Sequence, residues 1–564
     1  MLDLLIQNGM ICDGSGTPAY KGDVGIRDGK VVAVGEVTSE ARETIDAKGL
    51  TIAPGFIDPH THYDAQLVWD GLAQPSLEHG ITTIVPGNCS LSLAPLKPEH
   101  RDALGATFRK IEEMPKNAFD AGITWEWETF GEYLDAIKRG GLGINVAPLV
   151  GHSLLRLWVM GEEAASSRAA TDAEIEQLQE LLDECMRAGA IGMSGSWVDV
   201  DYKDRPVPAR YADAKELDAL CATLGKYAGV LQMVPEFFDS QLICARIDIM
   251  ADLSRKHGIT CTFSPMFDSN DSPNLVYITL DRVRQQVMAG AKVAPQMQVR
   301  PIDLSFELTQ PTSTIITLPT WWQMTLMPME EKVGKLKDPE YRKLLADEMD
   351  NFKAPLNLQY SFADGFIKRM GKEDPALMGR NVGELAAERG VRIGELMIDL
   401  SLENDFEISF GFSSVGHNNT AKIGELMHDP VVTIGAADGG AHVTNFSTYG
   451  DTGFMFSHYV RGHQSLSVEE AVQKLTHDVA KFWGLKDRGL LRPGYAADVI
   501  VFDPETFDRG PEVAVNDLPA DGFRYIRHSI GMAHVIVNGV HSFSEQDGGY
   551  LEGRGGVIAE RMAA

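Results

Sequence analysis

The apolar and polar positions of this chain follow one pattern near both ends and another in between. Near the N-terminus, short apolar runs are separated by tight turns such as Asn8-Gly9 and Asp28-Gly29, which is typical of β-hairpins. The stretch Ala497–Asp503 has the same character. Because too few strands lie at either end to bury a core alone, we expect residues 1–54 and 484–552 to pair into one small β-sandwich domain.

Between the ends, apolar strands alternate with long amphipathic helices such as Asp172–Ala188. Eight such units match a (β/α)8 TIM barrel, whose catalytic residues lie at the C-terminal ends of its strands. The sequence therefore predicts an α/β protein with a barrel over residues 55–483. The predicted strands are Ile52–Ile57, Ile81–Val85, Ile144–Val150, Ala190–Ser194, Val230–Val234, Thr260–Ser264, Lys292–Gln296 and Val431–Ala437.

The stretch from about residue 300 to 430 is too long for a single connection, so it predicts an inserted lid or subdomain before the last strand. It contains a helical pattern over Asn381–Leu402 and the aromatic pair Trp321 and Trp322. The pair could close over an apolar acyl group or pack in an ordinary core. Residues 553–564 are predicted to form a mobile C-terminal tail.

The composition of the chain limits the classes of function and partner that are compatible with it. Hydrophobic residues make up 44% and charged residues 23%, as in a soluble globular protein. The net charge of -29 disfavours nucleic acid and membrane surfaces as partners, but not a small-molecule substrate. The six cysteines are widely spaced without a CxxC pair, so we expect reduced thiols. Without a signal peptide or an apolar span of membrane length, a cytoplasmic protein is expected.

Two histidines follow the first predicted barrel strand, one residue apart, in Pro59-His60-Thr61-His62. Alternate side chains of an extended backbone point the same way, so His60 and His62 can face one point in space. Neutral imidazoles suit a borderline-soft divalent metal such as zinc. The alternative is a pair of surface histidines in a loop, but the buried strand before them favours a metal site.

Cys89 and Asp438 follow two other predicted strands. A cysteine in such a place is more often an inert core residue. Cys89 nevertheless lies one barrel unit from the two histidines, which favours a thiolate ligand. Asp438 stands at a glycine turn, where an aspartate commonly has only a turn or capping role. Its position in the barrel favours a carboxylate that ligates metal and accepts a proton from water.

His152 and His442 also stand near strand ends. Each fits a substrate contact, or a hydrogen-bond partner of the metal ligands, at least as well as a ligand. The candidate substrate contacts are His152, Arg156, Arg210, Glu236 and His442. An arginine among them could hold a substrate carboxylate through two hydrogen bonds, although most arginines are surface or structural residues.

Several motifs together resemble the amidohydrolase superfamily and, more narrowly, the N-acyl-D-amino-acid deacylases (D-aminoacylases). They are Gly55–Asp64, Gly87-Asn88-Cys89-Ser90, Gly151–Arg156, Asp438, Tyr459-Val460-Arg461 and Asp487–Asp498. The resemblance spans nearly the whole chain. It implies one or two divalent metal ions, zinc in particular, held by His60, His62 and Cys89, with Asp438 handling the proton. A homo-oligomer is expected only by analogy with the superfamily.

The chain departs from that family at two points. The family has one histidine at the end of the fifth strand, in a Thr-His-x-Arg motif, and another at the end of the sixth, in a Ser-His motif. Here the corresponding stretches contain Val234 and Pro265, which cannot bind metal. The resemblance therefore implies a divergent branch, in which Glu236 or Asp268 could supply replacement oxygen ligands.

The leading hypothesis is metal-assisted hydrolysis of an amide, such as an N-acyl amino acid (possibly of the D form) or a related N-acyl amine. A divalent metal lowers the pKa of a bound water from ~15.7 toward ~7 and polarises the scissile carbonyl. Asp438 would take the water proton and deliver it to the departing amine. Two alternatives stay open: hydrolysis of a cyclic amide, lactone or other ester at the same site, and a non-catalytic barrel that only binds a partner.

Overall fold

The computed structural model describes residues 1–268, 272–309, 312–355, 358–372, 374–435 and 437–559. The chain forms two compact units. The first contains Met1–Met266, Val276–Val299 and Thr420–Ala564, and the second contains Phe267–Leu275 and Arg300–Asn419. The first unit contains both the barrel and a sheet that is built from the two ends of the chain.

The strands are numbered in chain order. They are β1 (Leu2–Ile11), β2 (Tyr20–Arg27), β3 (Lys30–Gly35), β4 (Ala41–Asp46), β5 (Thr51–Pro54), β6 (Phe56–Asp58), β7 (Ile81–Ile84), β8 (Asn145–Val146), β9 (Leu149–Gly151), β10 (Gly192–Ser196), β11 (Val230–Val234), β12 (Thr260–Met266), β13 (Val293–Met297), β14 (Ile302–Phe306), β15 (Phe366–Met370), β16 (Ile408–Gly416), β17 (Thr433–Ile434), β18 (Val499–Phe502), β19 (Asp508–Leu518), β20 (Gly522–Ile530), β21 (Met532–Val537), β22 (Val540–Ser544) and β23 (Gly549–Tyr550).

The helices are numbered in the same way. They are α1 (Arg101–Glu112), α2 (Lys116–Gly122), α3 (Phe130–Gly140), α4 (His152–Ala165), α5 (Asp172–Ala188), α6 (Ala214–Gly225), α7 (Ser240–His257), α8 (Leu275–Met288), α9 (Pro319–Leu326), α10 (Met329–Leu336), α11 (Pro339–Asp350), α12 (Val382–Arg389), α13 (Ile393–Glu403), α14 (Thr420–Met427), α15 (Asp451–Phe454), α16 (Val468–Leu475) and α17 (His477–Trp483). A π-helical stretch, Met455–Gly462, follows α15 directly.

The two chain ends build one nine-stranded sheet. Its strand order is β23-β22-β21-β18-β5-β1-β2-β3, and β4 pairs with β1. β18, from the C-terminal part, pairs antiparallel with β5, so that Ala53 lies opposite Ile500. Buried aliphatic residues from both ends, including Ile6, Ile52 and Val499, pack in one cluster. Neither end could bury these side chains alone, which explains why they combine.

The barrel consists of parallel strands in the predicted order. β6, β7 and β8 form one sheet, and β9 to β13 with β17 form another. Backbone hydrogen bonds join the last strand end to the first: His62 N donates to Gly439 O at 2.8 Å, and Asp438 N donates to His60 O at 3.1 Å. The α/β fold, a (β/α)8 barrel with a β-sandwich domain, is thus confirmed. Its closure places the two N-terminal histidines next to Asp438.

The predicted strand Ile52–Ile57 is in fact two strands that belong to different sheets. β5 lies in the sheet of the chain ends and β6 in the barrel, with Gly55 between them. A Cβ on Gly55 would lie 2.1 Å from Thr82 Oγ1, so only glycine permits this close approach. A continuous apolar run cannot reveal such a change of sheet, because both halves are buried.

Two other predicted strands are shorter than expected. Ile144–Val150 is split into β8 and β9. Only Thr433–Ile434 of Val431–Ala437 forms a strand, and Ala436 lies outside the described residues. The predicted helix Asp172–Ala188 is confirmed as α5, which begins with a capping box at Thr171.

The second unit has its own antiparallel sheet, β14-β16-β15, together with helices α9 to α13. The predicted helix Asn381–Leu402 is divided into α12 and α13, because α12 ends at Gly390 in a left-handed conformation. Trp321 is fully buried, donates Nε1–H to Leu345 O at 2.9 Å and packs edge-on against Phe306. Trp321 is therefore an ordinary core residue of this unit.

The C-terminal stretch is ordered as far as it is described. Val146 N donates to Gly556 O at 2.9 Å, and Ile558 N donates to Val146 O at 2.8 Å, which adds a segment beside β8. The prediction of a mobile tail is therefore wrong for residues 553–559, while residues 560–564 lie outside the described residues. Among the described helices, none has the length and apolarity that a bilayer crossing requires.

Candidate metal centre

Four side chains from three strand ends converge at the mouth of the barrel. Ligand atoms of His60, His62 and Cys89 all lie within 4.8 Å of one another. Asp438 Oδ1 lies 3.2 Å from His62 Nε2 and 3.6 Å from His60 Nε2. Cys89 Sγ lies 3.4 Å from His60 Nε2. The predicted ligands are thus brought together, although Cys89 and Asp438 follow His60 in the chain by 29 and 378 positions, respectively.

The ring of His60 is held by a hydrogen bond from inside the barrel. Its Nδ1 lies 3.0 Å from Oε1 of Gln296, on β13. A carboxamide oxygen only accepts, so Nδ1 carries the proton and Nε2 presents its lone pair to Cys89 and Asp438. Burial lowers the pKa of His60 to about 4, against the opposing effect of Asp438, so the ring is neutral at pH 7. A neutral imidazole is the form that binds metal.

His62 contacts a carboxylate on each side. Its Nε2 faces Asp438, and its Nδ1 lies 3.2 Å from Oε1 of Glu112, the last residue of α1. Burial would lower the pKa of His62, but Glu112 and Asp438 raise it to about 9. Burial raises the pKa of Glu112 to about 7, although His62 opposes this shift. His62 therefore lies between two carboxyl groups, those of Glu112 and Asp438.

Asp438 lies between three imidazoles. Its Oδ2 lies 3.7 Å from Nε2 of His442, and the Nδ1 of the same ring lies 3.1 Å from the acceptor Oε2 of Glu113. Burial would raise the pKa of Asp438, but His62, His60 and His442 hold it below its ordinary value. Burial would lower the pKa of His442, whereas Glu113 and Asp438 raise it to about 10. Asp438 is therefore ionised at neutral pH and can accept a proton.

The loop after β7 adopts an unusual backbone to present Cys89. Its φ is +56°, a left-handed conformation that non-glycine residues adopt mainly at special sites. The backbone N–H of Cys89 donates to Gln232 Oε1 at 3.0 Å, and Gln232 Nε2 donates to Ser264 Oγ at 3.0 Å. Burial raises the pKa of the Cys89 thiol well above its usual value, and nearby acidic groups, including Asp199, raise it further.

The donor set fits a divalent cation. Two imidazole nitrogens, one sulfur and one carboxylate oxygen face one another, and these are the ligand types that zinc accepts. Electron-pair donors held this close repel one another unless a cation or a proton lies among them. The geometry thus agrees with the metal site that the sequence predicts, and Cys89 belongs to the group rather than to the core.

The two positions where the resembled family has histidines contain no ligand. Val234 ends β11 and is buried, and Pro265 lies within β12. On β11, Gln232 accepts from the backbone N–H of Cys89 instead, and the amide that contacts His60 comes from Gln296 on β13. Asp268 belongs to the second unit.

His152 and Arg156 form a separate buried cluster. His152 Nε2 lies 2.7 Å from Glu216 Oε1, and Arg156 donates Nη1–H to Glu216 Oε2 and Nη2–H to Arg168 O at 2.6 Å. Burial would raise the pKa of Glu216, but His152 and Arg156 lower it to about 2. Because Arg156 is fully buried and Glu216 binds both side chains, their predicted role in substrate binding is corrected to one of joining α4 to α6.

Arg210 and Glu236 are placed differently. Arg210 is exposed and donates Nη1–H to the carbonyls of Val198 at 2.8 Å and Asp199 at 3.1 Å, beyond the end of β10. The carboxylate of Glu236 is bound by both Nε and Nη2 of Arg246, at 2.9 and 2.8 Å. Glu236 is therefore committed to an ion pair and is not part of the metal-capable group. Arg210 keeps its candidacy as a substrate contact.

Sequence reasoning missed the acidic neighbours of the site. Glu112 and Glu113 follow one another at the end of α1, and Asp199 follows β10. Burial raises the pKa of Asp199, whose Oδ2 has no hydrogen-bond partner, and His62 is among the charges that oppose this shift. A usable signal existed: acidic residues at a helix C-terminus are disfavoured by the helix dipole, so a glutamate pair there is unusual.

Comparison with known proteins identifies a family for this chain. The family model described as "Amidohydrolase family" matches residues 43–543. A D-aminoacylase from Alcaligenes xylosoxydans xylosoxydans is 28% identical over 557 residues, covering 96% of this chain and 95% of the relative. An uncharacterized protein from Mycobacterium tuberculosis is 30% identical over 538 residues, covering 90% of this chain and 85% of the relative.

Solved structures show the same relationship. A D-aminoacylase crystal structure has a TM-score of 0.66 and 25% sequence identity, covering 99% of this chain and 100% of that chain. An N-acyl-D-glutamate deacylase from Bordetella bronchiseptica, complexed with zinc and a phosphonate inhibitor, has a TM-score of 0.67 at 24% identity and shares the fold, covering 99% of this chain and 100% of that chain. The family model and these relatives identify the chain as a hydrolase acting on carbon–nitrogen bonds. The chain belongs to the amidohydrolase family.

Proposed function

We propose that this amidohydrolase cleaves the amide bond of an N-acyl amino acid, with the D form as the first stereochemistry to test. The convergence of His60, His62, Cys89 and Asp438 at the barrel mouth carries this proposal. The relatives add support, because D-aminoacylase, N-acyl-D-aspartate deacylase and N-acyl-D-glutamate deacylase match this chain over 89% or more of its length.

His60, His62, Cys89 and Asp438 are the residues that would hold one or two divalent ions, zinc being the first choice for this donor set. The related D-aminoacylase has a binuclear metal centre. When bound, a divalent cation polarises the scissile carbonyl and lowers the pKa of an attacking water.

Asp438 is the group that moves the proton. Its carboxylate is ionised at neutral pH because His62 and His442 lower its pKa. It can therefore accept a proton from the attacking water at Oδ1 or Oδ2 and later deliver that proton to the departing amine nitrogen. His442, beside Oδ2, keeps this carboxylate charged between turnovers.

The substrate carboxylate needs a cationic partner. Arg156 is excluded by its burial and its bond to Glu216. Arg210 is exposed and is tethered through Nη1 to carbonyl oxygens beyond the end of β10, so we propose it as the contact for this carboxylate. Because Glu112 contacts His62, Glu113 contacts His442 and Asp199 lies near enough to raise the pKa of Cys89, a single negative charge on the substrate fits this environment better than two.

Metal analysis combined with a hydrolysis screen tests the function. We expect near-stoichiometric zinc and turnover of at least one compound in a panel of N-acyl D- and L-amino acids. His60→Ala and Asp438→Ala should abolish turnover. His463→Ala and Asp135→Ala, at exposed positions, serve as matched controls and should leave it unchanged.

The alternatives give different results in the same experiment. If only cyclic amides or esters are hydrolysed, the active site is the proposed one but the bond that it cleaves is different. A folded protein that takes up no zinc and hydrolyses nothing would favour the non-catalytic barrel and contradict the proposal.

A further inference from the structure

Two consecutive glutamates at the end of α1 contact two different histidines of the site. Glu112 Oε1 lies 3.2 Å from His62 Nδ1, and Glu113 Oε2 lies 3.1 Å from His442 Nδ1. The far nitrogens of both rings face Asp438: His62 Nε2 lies 3.2 Å from Oδ1 and His442 Nε2 lies 3.7 Å from Oδ2. The dipeptide therefore contacts two of the three imidazoles around Asp438, one beside each carboxylate oxygen.

Hydrogen bonds to backbone carbonyl oxygens join the two glutamates to the loop that carries Asp438. His442 N donates to Glu112 O at 2.7 Å, and Thr444 Oγ1 donates to Glu113 O at 2.8 Å, so the end of α1 is tied to the loop that carries Asp438. Glu113 has a φ of +53°, a left-handed conformation that ends the helix between the two glutamates. The turn lets the two consecutive side chains reach different rings.

Both glutamates are buried, with exposed fractions of 2% for Glu112 and 7% for Glu113. A buried carboxylate at a helix C-terminus is unfavourable twice over, because it loses hydration and faces the negative end of the helix dipole. Such a position is tolerated only when the carboxylate has a partner, and here the partners are His62 and His442. This cost argues against a pair that serves only to fill space.

We propose that Glu112-Glu113 is a positioning element of the site, in which Glu112 orients His62 for metal binding and Glu113 orients His442 against Asp438. The inference rests on the proposed function, since it assumes that His62 is a ligand. It acts through the general rule that a carboxylate on the far nitrogen of a ligating imidazole fixes its tautomer and ring orientation. His442 itself lies outside the group of metal-capable atoms.

Substitutions of the two glutamates should therefore have different effects on zinc affinity. Zinc affinity is measured for the full chain by competition with a chromogenic chelator. We expect Glu112→Ala to weaken zinc binding by about 10–100-fold. Glu112→Gln, which keeps an acceptor oxygen beside Nδ1, should lose less than Glu112→Ala. Glu113→Ala should stay within about threefold of the wild type in zinc affinity and lower kcat instead.

A spectroscopic readout distinguishes positioning from a general loss of structure. The cobalt-substituted wild type and the variants are compared by visible absorption, which reports the ligand geometry directly. Glu112→Ala should change the band position and intensity, whereas Glu113→Ala and the exposed control Glu126→Ala should retain the wild-type spectrum. If Glu112→Ala does not fold, Glu112→Gln carries the same test, because it keeps the side-chain volume.

The outcomes are distinct for the two proposals. A wild type that binds no zinc would refute the proposed function. A wild type that binds zinc, together with folded Glu112 variants that bind it equally tightly with an unchanged cobalt spectrum, would overturn the positioning role alone. Weakened binding in Glu113→Ala equal to that in Glu112→Ala would also overturn it, because the two roles would no longer differ.

Discussion

Two buried histidine clusters lie at strand ends of this barrel, and they differ in how their polar groups are balanced. In the cluster of His152, Arg156 and Glu216, one carboxylate binds two basic groups, and Arg156 also donates to carbonyl oxygens. In the cluster around His60 and Asp438, nitrogen, sulfur and oxygen atoms that can bind metal face one another. The first cluster pairs its charged groups with one another, whereas the second has the composition of a cation site.

The difference teaches how to separate structural from functional histidines. Both clusters are buried, and both contain a histidine within two residues of the end of a barrel strand. Burial and position therefore do not discriminate between them. The balance of charge does, because the carboxylate of Glu216 is already bound by two basic side chains, whereas the second cluster brings several metal-capable atoms together.

The largest expected effect is on catalysis at the second cluster. Asp438→Asn should reduce kcat by about 10²–10⁴-fold, because the amide cannot accept the proton from water. Steady-state kinetics on the substrate found in the screen measures this loss, and circular dichroism checks the fold. Glu216→Gln is the comparison variant and should retain kcat in its folded fraction. Equal losses of kcat in both would erase the distinction between the clusters.

The next effect is on stability at the first cluster. Glu216→Ala should lower the free energy of unfolding by about 3–5 kcal/mol, since it leaves two basic groups buried without their carboxylate. Chemical denaturation of the metal-free protein measures the change. Glu176→Ala, at an exposed position on the neighbouring helix α5, is the control and should stay within about 0.5 kcal/mol of the wild type. A loss of similar size in the control would contradict this assignment.

Metal removal should affect only the second cluster. A chelator should lower the Tm of the wild type, because zinc at about a hundredfold excess over its Kd stabilises the folded state by about 2.7 kcal/mol. Adding zinc back should restore the Tm. In His60→Ala the Tm should respond much less to either treatment. A chelator response that His60→Ala retains in full would show that the stabilising metal binds elsewhere.

The smallest effect is the acid dependence of stability. The pKa of Glu216 is about 2 in the folded protein, below its ordinary value, because His152 and Arg156 favour the carboxylate. Its contribution is therefore complete above the unfolded-state pKa and is lost as the pH falls toward 2. Between pH 5 and 2, the free energy of unfolding of the metal-free protein should fall more steeply with decreasing pH for the wild type than for Glu216→Gln. Parallel curves would show that Glu216 does not contribute to this acid sensitivity.

Much of the architecture was predictable because it depends on local patterns. The eight barrel strands appear in the predicted order, and α5 has the predicted bounds. The change of sheet at Gly55 was not predictable, because one apolar run serves two buried strands. The ordered segment after residue 553 was missed for a related reason, since its hydrogen bonds to β8 join positions about 400 residues apart.

The sequence by itself determined which side chains stand at strand ends, since the alternation of an extended chain and the order of barrel strands are local and repetitive. It thereby marked His60, His62, Cys89 and Asp438 as a group. Only the tertiary structure decided their partners. Glu112 contacts His62, 50 residues earlier in the chain, and Glu216 binds Arg156, 60 residues earlier. Such pairings arise from packing between distant elements, which no local pattern of residues encodes.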